Sequence, residues 1–329
     1  MQRSLFFASL LCLAVLPACW AAEHGKFKEV TDPAEAAKDP DFAFQGEYKG
    51  RGIVPGGDEK TVGAQVVARG NGNFVIYFLE DGLPGDGWTR DKGRIEATGK
   101  REGDHVTITA PKAEGVIRDG KLIVEHEDGR LVLERVERKS PTLGAKPPKG
   151  AIVLFDGSNT DHWDPGVLTE DGNLLSNALT KDKFNSYTLH LEFRLSWMPE
   201  ATGQARSNSG VYLHDCYEVQ VLDSFGLTGE DNECGGIYKV KKPDVNMCLP
   251  PMTWQTYDIE FTAPKYEDGK KTANARATIK HNGVVIHEDL ELPGATPGRQ
   301  SEGPGPRPLY LQGHGNHVFY RNIWVVPKD

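Results

Sequence analysis

The fold of this chain is decided by one alternating stretch, Cys216-Tyr217-Glu218-Val219-Gln220-Val221-Leu222-Asp223. Successive side chains of a β-strand point to opposite faces of its sheet. The pattern therefore predicts a strand whose Tyr217, Val219 and Val221 side chains pack into a core. Similar patterns recur on both sides of this stretch, so the strand is expected to belong to a larger sheet.

The other face of this strand carries polar side chains. Glu218 and Gln220 alternate with the core residues, and we expect a bulge at the end of the strand to turn Asp223 toward them. Polar side chains at alternate positions are typical of the sugar cleft of β-sandwich enzymes that act on glycans. An ordinary solvated strand face would show the same pattern, so the stretch alone leaves both interpretations open.

Short alternating strands follow one another through most of the chain. They are separated by Gly pairs, Asp-Gly and Asn-Gly, which favour tight turns. There is little helical periodicity. This pattern predicts an all-β protein, with a small antiparallel meander in the N-terminal part and a two-sheet sandwich in the C-terminal part.

Composition divides the chain into four segments. Residues 1–22 are predicted to be a signal peptide, and residues 23–138 a small β-rich module. Residues 139–150 contain prolines that favour an extended backbone, and we interpret them as a linker. Residues 151–329 form the sandwich, and we expect a fragment from about Gly150 onward to fold alone because the sandwich has its own core.

The N-terminal residues have the pattern of an export signal. Arg3 supplies a positive charge, and the apolar run 5–16 is too short to span a bilayer. Cleavage is expected near Ala22, which would place the protein in the periplasm or outside the cell. A lipid anchor on Cys19 is the alternative, because the residues before it loosely resemble a lipoprotein box. No later apolar run is long enough to cross a membrane.

Charge and motif content narrow the classes of partner. The net charge is -9, and no basic cluster indicates binding to nucleic acid or to an anionic membrane. No Gly-rich phosphate loop, dinucleotide fingerprint or Ser/His/Asp triad is evident. The sequence therefore predicts no organic cofactor.

The motifs of the C-terminal part resemble those of one bacterial family and occur in the same order. They are Phe155-Asp156-Gly157 with Trp163, Ser207-Asn208-Ser209-Gly210-Val211-Tyr212, Tyr217 to Asp223, Gly236-Ile237-Tyr238, Trp254-Gln255-Thr256-Tyr257-Asp258-Ile259, Leu311-Gln312-Gly313-His314 and Arg321-Asn322-Ile323-Trp324. They resemble the 3-keto-disaccharide hydrolase domain, also called the 3-keto-glucoside lyase and 3-keto-2-hydroxy-glucal hydratase domain. The resemblance covers residues 150–329 and implies a concanavalin A-like jelly roll.

The resemblance also implies a chemistry. Assigned members of the family act on sugars oxidised at C3, where the ketone acidifies the hydrogen on C2. A base removes that hydrogen, the C1 substituent leaves by elimination, and water then adds to the double bond, which gives net hydrolysis. Such a reaction needs a general base, a group that polarises the ketone and an acid for the departing oxygen. Glu218, His314 and Asp223 are the titratable candidates, and the expected partner is a 3-keto-glucoside or a related glycan.

Further polar and aromatic residues of the motifs are candidates for substrate binding. They are Arg206, Asn208, Gln220, Tyr238, Asn246, Trp254, Gln312 and Arg321. Two of them have an equally good structural interpretation. Arg321 would serve as an ion-pair partner inside the sandwich, and Trp254 would pack as a hydrophobic residue.

Two other functions remain open from the sequence. Glucanases that share the jelly-roll fold carry Glu-x-Asp-x-Glu along one strand, whereas here Gln220 replaces the central acid and Asp223 is displaced by one position. That departure disfavours a double displacement, which needs two carboxyl groups about 5 Å apart. A non-catalytic lectin-like module is the alternative from another class. A calcium ion or other divalent metal is possible by analogy of fold only, and no metal ligands are predicted.

Three cysteines follow the predicted cleavage site. Cys234 and Cys248 bracket a loop rich in Gly, Lys and Pro, and in an oxidising compartment they are expected to form a disulfide. Cys216 is left over and is predicted to be a buried thiol.

Overall fold

The structure is a computed structural model that describes residues 26–328. The predicted signal peptide and Cys19 therefore lie outside the described residues. Within the described range, no helix is both long and apolar enough to cross a membrane. Among residues 26–328, helical structure is confined to α1 (Pro33–Ala36) and two 3₁₀ turns, Arg90–Lys92 and Gly203–Ala205.

The N-terminal part forms a closed eight-stranded antiparallel barrel and one short parallel strand pair. The ten strands in chain order are β1 (Gly46–Ile53), β2 (Glu59–Ala68), β3 (Asn73–Glu80), β4 (Leu83–Pro84), β5 (Gly87–Trp88), β6 (Ile95–Glu102), β7 (His105–Ala110), β8 (Ala113–Arg118), β9 (Lys121–His126) and β10 (Gly129–Val136). The barrel closes in the order β1-β10-β9-β8-β7-β6-β3-β2, while β4 and β5 pair outside it. The predicted antiparallel meander is therefore confirmed, and its closure leaves the barrel without a sheet edge.

Alternation along the barrel strands separates an interior from an exterior. Val66 and Ile76 are paired across β2 and β3, and both are fully buried in the barrel core. Their sequence neighbours Val67 and Tyr77 point the opposite way and pack into the core of the C-terminal part. The two-residue period of the strands thus supplies both the barrel core and one side of the contact between the two parts.

The C-terminal part contains two antiparallel sheets. Its strands are β11 (Ile152–Phe155), β12 (Trp163–Asp164), β13 (Leu174–Leu175), β14 (Ala178–Thr180), β15 (Ser186–Leu195), β16 (Asn208–Leu213), β17 (Tyr217–Leu222), β18 (Trp254–Thr262), β19 (Lys265–Glu267), β20 (Lys270–Ala273), β21 (Ala275–His281), β22 (Val284–Leu292), β23 (Tyr310–Leu311) and β24 (Val318–Lys328). One sheet has the order β11-β24-β15-β18-β21-β22 with β13 beside β24, and the other has the order β12-β14-β23-β16-β17. The hairpin β19–β20 stands apart.

The two sheets pack against each other as a sandwich. Val219 and Val221 of β17 share one buried cluster with Leu189 of β15 and with Tyr257 and Ile259 of β18. Tyr217 belongs to the same cluster. The all-β sandwich and the core face of the central strand are therefore confirmed.

The segment 139–150 packs against the sandwich rather than crossing open solvent. The Ser140 hydroxyl lies 2.6 Å from Thr256 Oγ1, and the Thr142 hydroxyl donates to Asp258 at 2.6 Å. The Gly144 amide donates to Glu192 Oε1 at 2.6 Å. Turns begin at Pro141 and after Pro148, and the hydrogen bonds of the segment make it a strap over the sheet of β15 and β18.

A second contact between the two parts is apolar. Trp197, just after β15, is 1% exposed and belongs to the barrel core, where its ring lies 5.1 Å from that of Phe42 in an edge-on arrangement. From the barrel side, Leu79 joins Val67 and Tyr77 in the sandwich core. Each part therefore completes the apolar packing of the other.

A fragment that starts at Lys139 is expected to melt at a higher temperature than one that starts at Gly150. The longer fragment keeps the hydrogen bonds of the strap, and each buried bond contributes on the order of 1 kcal/mol. Both fragments expose Trp197, so both should melt below the full chain. Thermal melts of the three proteins followed by circular dichroism test this. A Gly150 fragment as stable as the full chain would show that neither contact matters.

Candidate active site

A cleft of about 180 Å³ opens on the polar face of β16 and β17. Its lining is mostly amide, phenol and imidazole side chains. The lining residues are Gln204, Asn208, Tyr212, Glu218, Gln220, Tyr238, Lys239, Pro297, Gly298, Gln312 and His314. The structure thus brings together six residues proposed from the sequence, namely Glu218, His314, Asn208, Gln220, Tyr238 and Gln312.

Glu218 is the buried acid of this cleft. Only 2% of the residue is exposed, and Tyr212 donates its hydroxyl hydrogen to Glu218 Oε2 at 2.7 Å. Burial disfavours the charged carboxylate and raises the pKa of Glu218 to about 7, against the opposing effect of the Tyr212 hydrogen bond. A carboxyl group with a pKa near neutral pH is well suited to accept or donate a proton.

Tyr212 reaches Glu218 because the two residues are directly opposed in the β16–β17 hairpin. Asn208, Gly210 and Tyr212 share one face of β16, since they alternate along it. Tyr212 was not a candidate from the sequence, although its alternation with Asn208 could have identified it. Burial of the Tyr212 hydroxyl, together with the negative charge of Glu218, raises the pKa of Tyr212 well above its ordinary value. The hydroxyl therefore stays a hydrogen-bond donor.

Gly210 leaves the space that the Glu218 side chain occupies. A Cβ atom at Gly210 would lie 2.2 Å from Glu218 Oε1 and 2.9 Å from its Cγ and Cδ atoms. Any other residue at this position would therefore push the carboxyl group out of place.

We expect Gly210→Ala to lower kcat/KM at least tenfold on the enzyme's substrate, because a misplaced base transfers protons poorly. Steady-state kinetics on the variant would measure this. Gly294→Ala is the matched control, because a Cβ atom there would meet nothing within 4 Å. Equal activity of the two variants would argue against a role for the Glu218 carboxyl group.

The Gln220 amide connects Glu218 to a second polar group. One end of the amide lies 3.0 Å from Glu218 Oε1, and the other end lies 3.0 Å from Gln204 Oε1. A protonated Glu218 needs the carbonyl end of Gln220 as an acceptor, whereas an ionised Glu218 needs the NH₂ end as a donor. The amide can satisfy either protonation state of the acid by turning over.

His314 and Gln312 come from the segment around β23. The Gln312 backbone N–H donates to Gly210 O at 2.8 Å, which fixes this segment beside β16. Gln312 Nε2 also donates to the Tyr212 hydroxyl at 3.4 Å. His314 lies two residues further on and lines the same cleft as Glu218.

A loop after β17 returns along the strand and closes the cleft. Gln220 N–H donates to Gly236 O at 2.9 Å, and Tyr238 N–H donates to Glu218 O at 3.2 Å. These bonds bring the Tyr238 and Lys239 side chains to the cleft wall. They also explain why Glu218 and Gln220 are buried although they lie on the polar face of the strand.

The barrel holds part of this loop. Arg94 donates to Gly226 O at 2.7 Å, and Arg90 donates to Gly229 O at 3.1 Å. Asn232, a few residues later, accepts a hydrogen bond from Gln204 at 2.7 Å at the cleft wall. The N-terminal part therefore supports the cleft through the loop, although its own residues do not line it.

Comparison with known proteins assigns the C-terminal part of the chain to a protein family. The sequence model of the 3-keto-alpha-glucoside-1,2-lyase-like domain matches residues 150–326, which is more than half of the chain. The chain belongs to this family. The resemblance inferred from the motifs is confirmed, and the protein is a member of a family of carbohydrate-active enzymes.

Solved structures similar to this chain come from Parabacteroides distasonis ATCC 8503. One, described as a "putative glycosyl hydrolase", is 33% identical over 55% of this chain and 85% of its own, with a TM-score of 0.49. Two others of the same description are 18% and 21% identical and cover 95% and 99% of their own chains, with TM-scores of 0.40 and 0.39. No curated protein matches the chain.

The structure places Asp223 away from the cleft of this lyase-like domain. No bulge turns it toward Glu218; its side chain pairs with Arg206 at 2.5 Å, and both residues are at most 1% exposed. Neither lines the cleft. The structure therefore places Asp223 and Arg206 in the interior, where each neutralises the charge of the other, and not in the lining of the cleft.

Three other predicted binding residues also lie elsewhere. Arg321 pairs with Glu192 at 2.7 Å and stacks on Trp254, with 4.0 Å between the guanidinium carbon and the ring centre. Both belong to the sheet of β18 and β24, which is not the sheet that bears the cleft. Asn246 is buried and donates to the carbonyls of Ser224 and Leu227 at 2.8 and 3.0 Å, so it holds the loop in shape and does not line the cleft.

The predicted Cys234–Cys248 disulfide is not formed in the structure. Both residues are buried free thiols, as is Cys216. Cys234 Sγ lies 3.3 Å from the Tyr257 hydroxyl, and Cys248 Sγ lies 3.5 Å from Leu222 O. The two sulfurs also hydrogen-bond to each other. The prediction that Cys216 is a buried thiol agrees with the structure.

Metal ligation was left open by the sequence. Over residues 26–328 there is no group of three or more His, Cys, Asp or Glu side chains that could hold a metal ion.

Proposed function

We propose that the protein cleaves 3-keto-glycosides by removing the C2 proton and eliminating the C1 substituent, with hydration of the product. The observation that carries this proposal is Glu218, a buried carboxyl group whose pKa is raised to about 7 inside a polar cleft. Perturbed acids in clefts are candidates for general acid–base catalysis. Membership of the lyase-like family supports the same chemistry.

The number of acids in the cleft favours elimination over ordinary glycoside hydrolysis. Retaining and inverting glycosidases of the usual kind need two carboxyl groups that flank the scissile bond. Among the residues that the structure describes, Glu218 supplies the only carboxyl group of the cleft lining. Removal of one carbon-bound proton needs only one base, so a single carboxylate is sufficient.

The groups of the cleft account for every proton and electron pair that the proposed reaction moves. The Glu218 carboxylate takes the hydrogen from C2, and the electron pair of that bond is delocalised onto the oxygen of the C3 ketone. The pair then forms the C1=C2 double bond while the C1–O bond to the aglycone breaks. The aglycone oxygen receives a proton from an acid, for which His314 is the candidate in the lining. Water then adds across C1=C2, with its hydroxyl on C1 and its proton on C2.

Amide groups would stabilise the developing enolate. Asn208, Gln220 and Gln312 can each donate N–H groups to sugar oxygens or to the ketone from the cleft wall. Because such donors are fixed before the reaction starts, they stabilise transition-state charge without reorganisation. The turn of the Gln220 amide described above would let it follow Glu218 as the acid gains the proton.

Hydrogen exchange at C2 tests the mechanism. A 3-keto-glucoside incubated with the enzyme in deuterated water should yield sugar that carries deuterium at C2, as measured by mass spectrometry and NMR. Direct displacement at C1 never breaks the C2–H bond. Release of aglycone with full retention of the C2 hydrogen would contradict elimination, and cleavage of unoxidised glucosides would favour the glycosidase alternative. Binding of sugars without turnover would favour the lectin alternative.

The rate should depend on the ionisation of Glu218. The base is active only when it is deprotonated, so kcat/KM is expected to fall about tenfold per pH unit below a pKa of about 7. A pH–rate profile from pH 5 to pH 9 measures this fall in kcat/KM. Gly294→Ala should show the same profile as wild type, and a flat profile over this range would contradict the assignment of Glu218 as the base.

We also propose that the protein is exported. Support comes from the signal-like pattern of residues 1–22, in which a basic residue precedes a short apolar run. The intact mass of the protein purified from the periplasm should correspond to a chain that begins near Ala22. A lipid-modified Cys19 would instead favour the anchored form.

A further inference from the structure

The eight-stranded barrel has one plugged end and one open end. Phe42, Phe44 and Trp197 pack at one end, where the Phe44 ring lies 6.1 Å from that of Phe74 at the start of β3. The opposite ends of the strands surround a cavity of about 510 Å³. Barrels of eight strands are wide enough either to be filled by side chains or to hold one small ligand.

The inside of the cavity is apolar. Its floor is formed by Val62, Phe78, Val124 and Leu131, which belong to the barrel core and are at most 9% exposed. Ile95 stands at the edge of the mouth and is 53% exposed. A volume between 300 and 1,000 Å³ with a mainly apolar lining is the usual form of a small-molecule site.

The rim is polar, but its basic groups are already engaged. Lys60 pairs with Glu80, and Lys92 lies 2.7 Å from Asp81. Arg94 lies over the Tyr77 ring and donates to Gly226 O at 2.7 Å. His126 Nε2 is 2.7 Å from Ile53 O. Among the described residues of this rim, the two lysines are therefore neutralised by carboxylates, and Arg94 is held in place by a carbonyl and an aromatic ring.

We propose that the barrel is a binding site for a neutral, largely apolar small molecule, which enters through this mouth and packs against Phe78. The volume, the apolar floor and the neutralisation of both rim lysines favour this class of ligand over anions and over sugars. Sugars would leave their hydroxyl groups without partners on the apolar floor. The site does not depend on the reaction proposed for the other domain.

The neutral dye N-phenyl-1-naphthylamine, which fluoresces in apolar surroundings, is the probe. The full chain is expected to bind one dye per molecule, saturably, at micromolar concentrations. Ala113→Trp places a large ring at the cavity wall and should weaken binding at least tenfold. Glu114→Trp is the matched control, because the adjacent side chain is exposed on the outer face of β8 and the affinity should not change.

Two further measurements do not depend on the folding of a variant. Methyl NMR signals of Val62, Val124 and Leu131 should shift when dye is added to the wild-type protein. Decanol should displace the dye at lower concentration than decanoate does. Non-saturable binding, equal affinities of the two tryptophan variants, unchanged methyl signals or stronger displacement by decanoate would each overturn the proposal.

Discussion

Glu218→Gln is expected to reduce turnover of a 3-keto-glucoside by at least a hundredfold and to stabilise the folded protein at pH 8. The amide cannot accept the C2 proton, and loss of a general base typically costs between a hundredfold and ten-thousandfold in rate. His314→Ala should cause a similar loss if the imidazole serves as the acid. The gain in stability and the loss of activity have the same origin, since both follow from replacing a buried group that must ionise.

The sign of the stability effect follows from the pKa of Glu218. Its folded-state pKa of about 7 lies above the ordinary value of 4.5, so the folded protein binds this proton more tightly than the unfolded chain does. The free energy of unfolding therefore decreases as the pH rises from about 4.5 to 7 and levels off above that. The penalty at pH 8 is on the order of 3 kcal/mol, and glutamine escapes it because it does not ionise.

Urea unfolding of wild type and Glu218→Gln at pH 4.5 and pH 8 measures the effect. The two proteins should be closest in stability at pH 4.5 and should differ most at pH 8. Glu260→Gln is the control, because Glu260 is exposed on β18 and should change neither activity nor stability appreciably. A Glu218→Gln protein that is fully active, or less stable than wild type at pH 8, would refute the description of the cleft.

Breaking the Arg206–Asp223 ion pair is the second change for which we expect a large effect, here a loss of stability. Asp223→Leu leaves a buried guanidinium without its counter-ion, and breaking such a pair typically costs 3–5 kcal/mol. The double variant Arg206→Met/Asp223→Leu should recover most of that loss, because hydrophobic replacement of both partners is often neutral or stabilising. Recovery is further favoured because Arg206 Nε and Nη1 have no hydrogen-bond partner among residues 26–328.

Measurements of activity distinguish a structural role of the Arg206–Asp223 pair from a catalytic one. The double variant should keep kcat/KM within a few-fold of wild type, since neither side chain lines the cleft. A folded double variant that loses activity as completely as Glu218→Gln would restore Asp223 to the catalytic group. Thermal melts and steady-state kinetics of both single variants and the double variant complete the cycle.

Part of the cleft could be predicted because a strand has a period of two. Alternation placed Val219 in the core and Glu218 and Gln220 opposite it, and the structure agrees. The rule did not extend past the end of the strand. Asp223 lies beyond β17, where the chain turns, and its partner Arg206 lies 17 positions away in the sequence. Alternation carries no information about such a contact.

Family motifs identified the domain but not the position of each side chain. Trp254 and Arg321 occur in matching motifs, yet they stack on each other on the sheet that does not bear the cleft. Tyr212, Gln204 and Lys239 line the cleft and were not selected. Lys239 reaches it only because a loop returns beside β17, which depends on hydrogen bonds that the linear pattern does not encode.

The sequence by itself determined the all-β class, the core face of the central strand, the family and the presence of an acid on the polar face. These properties depend on local periodicity and on motifs that are continuous in the chain. Only the tertiary structure decided that Glu218 is buried, that Asp223 is neutralised by Arg206, that the proline-rich segment is a strap and that the N-terminal strands close into a barrel. Burial and charge pairing depend on which distant segments meet, and those contacts set the pKa of Glu218 as well as the shape of both cavities.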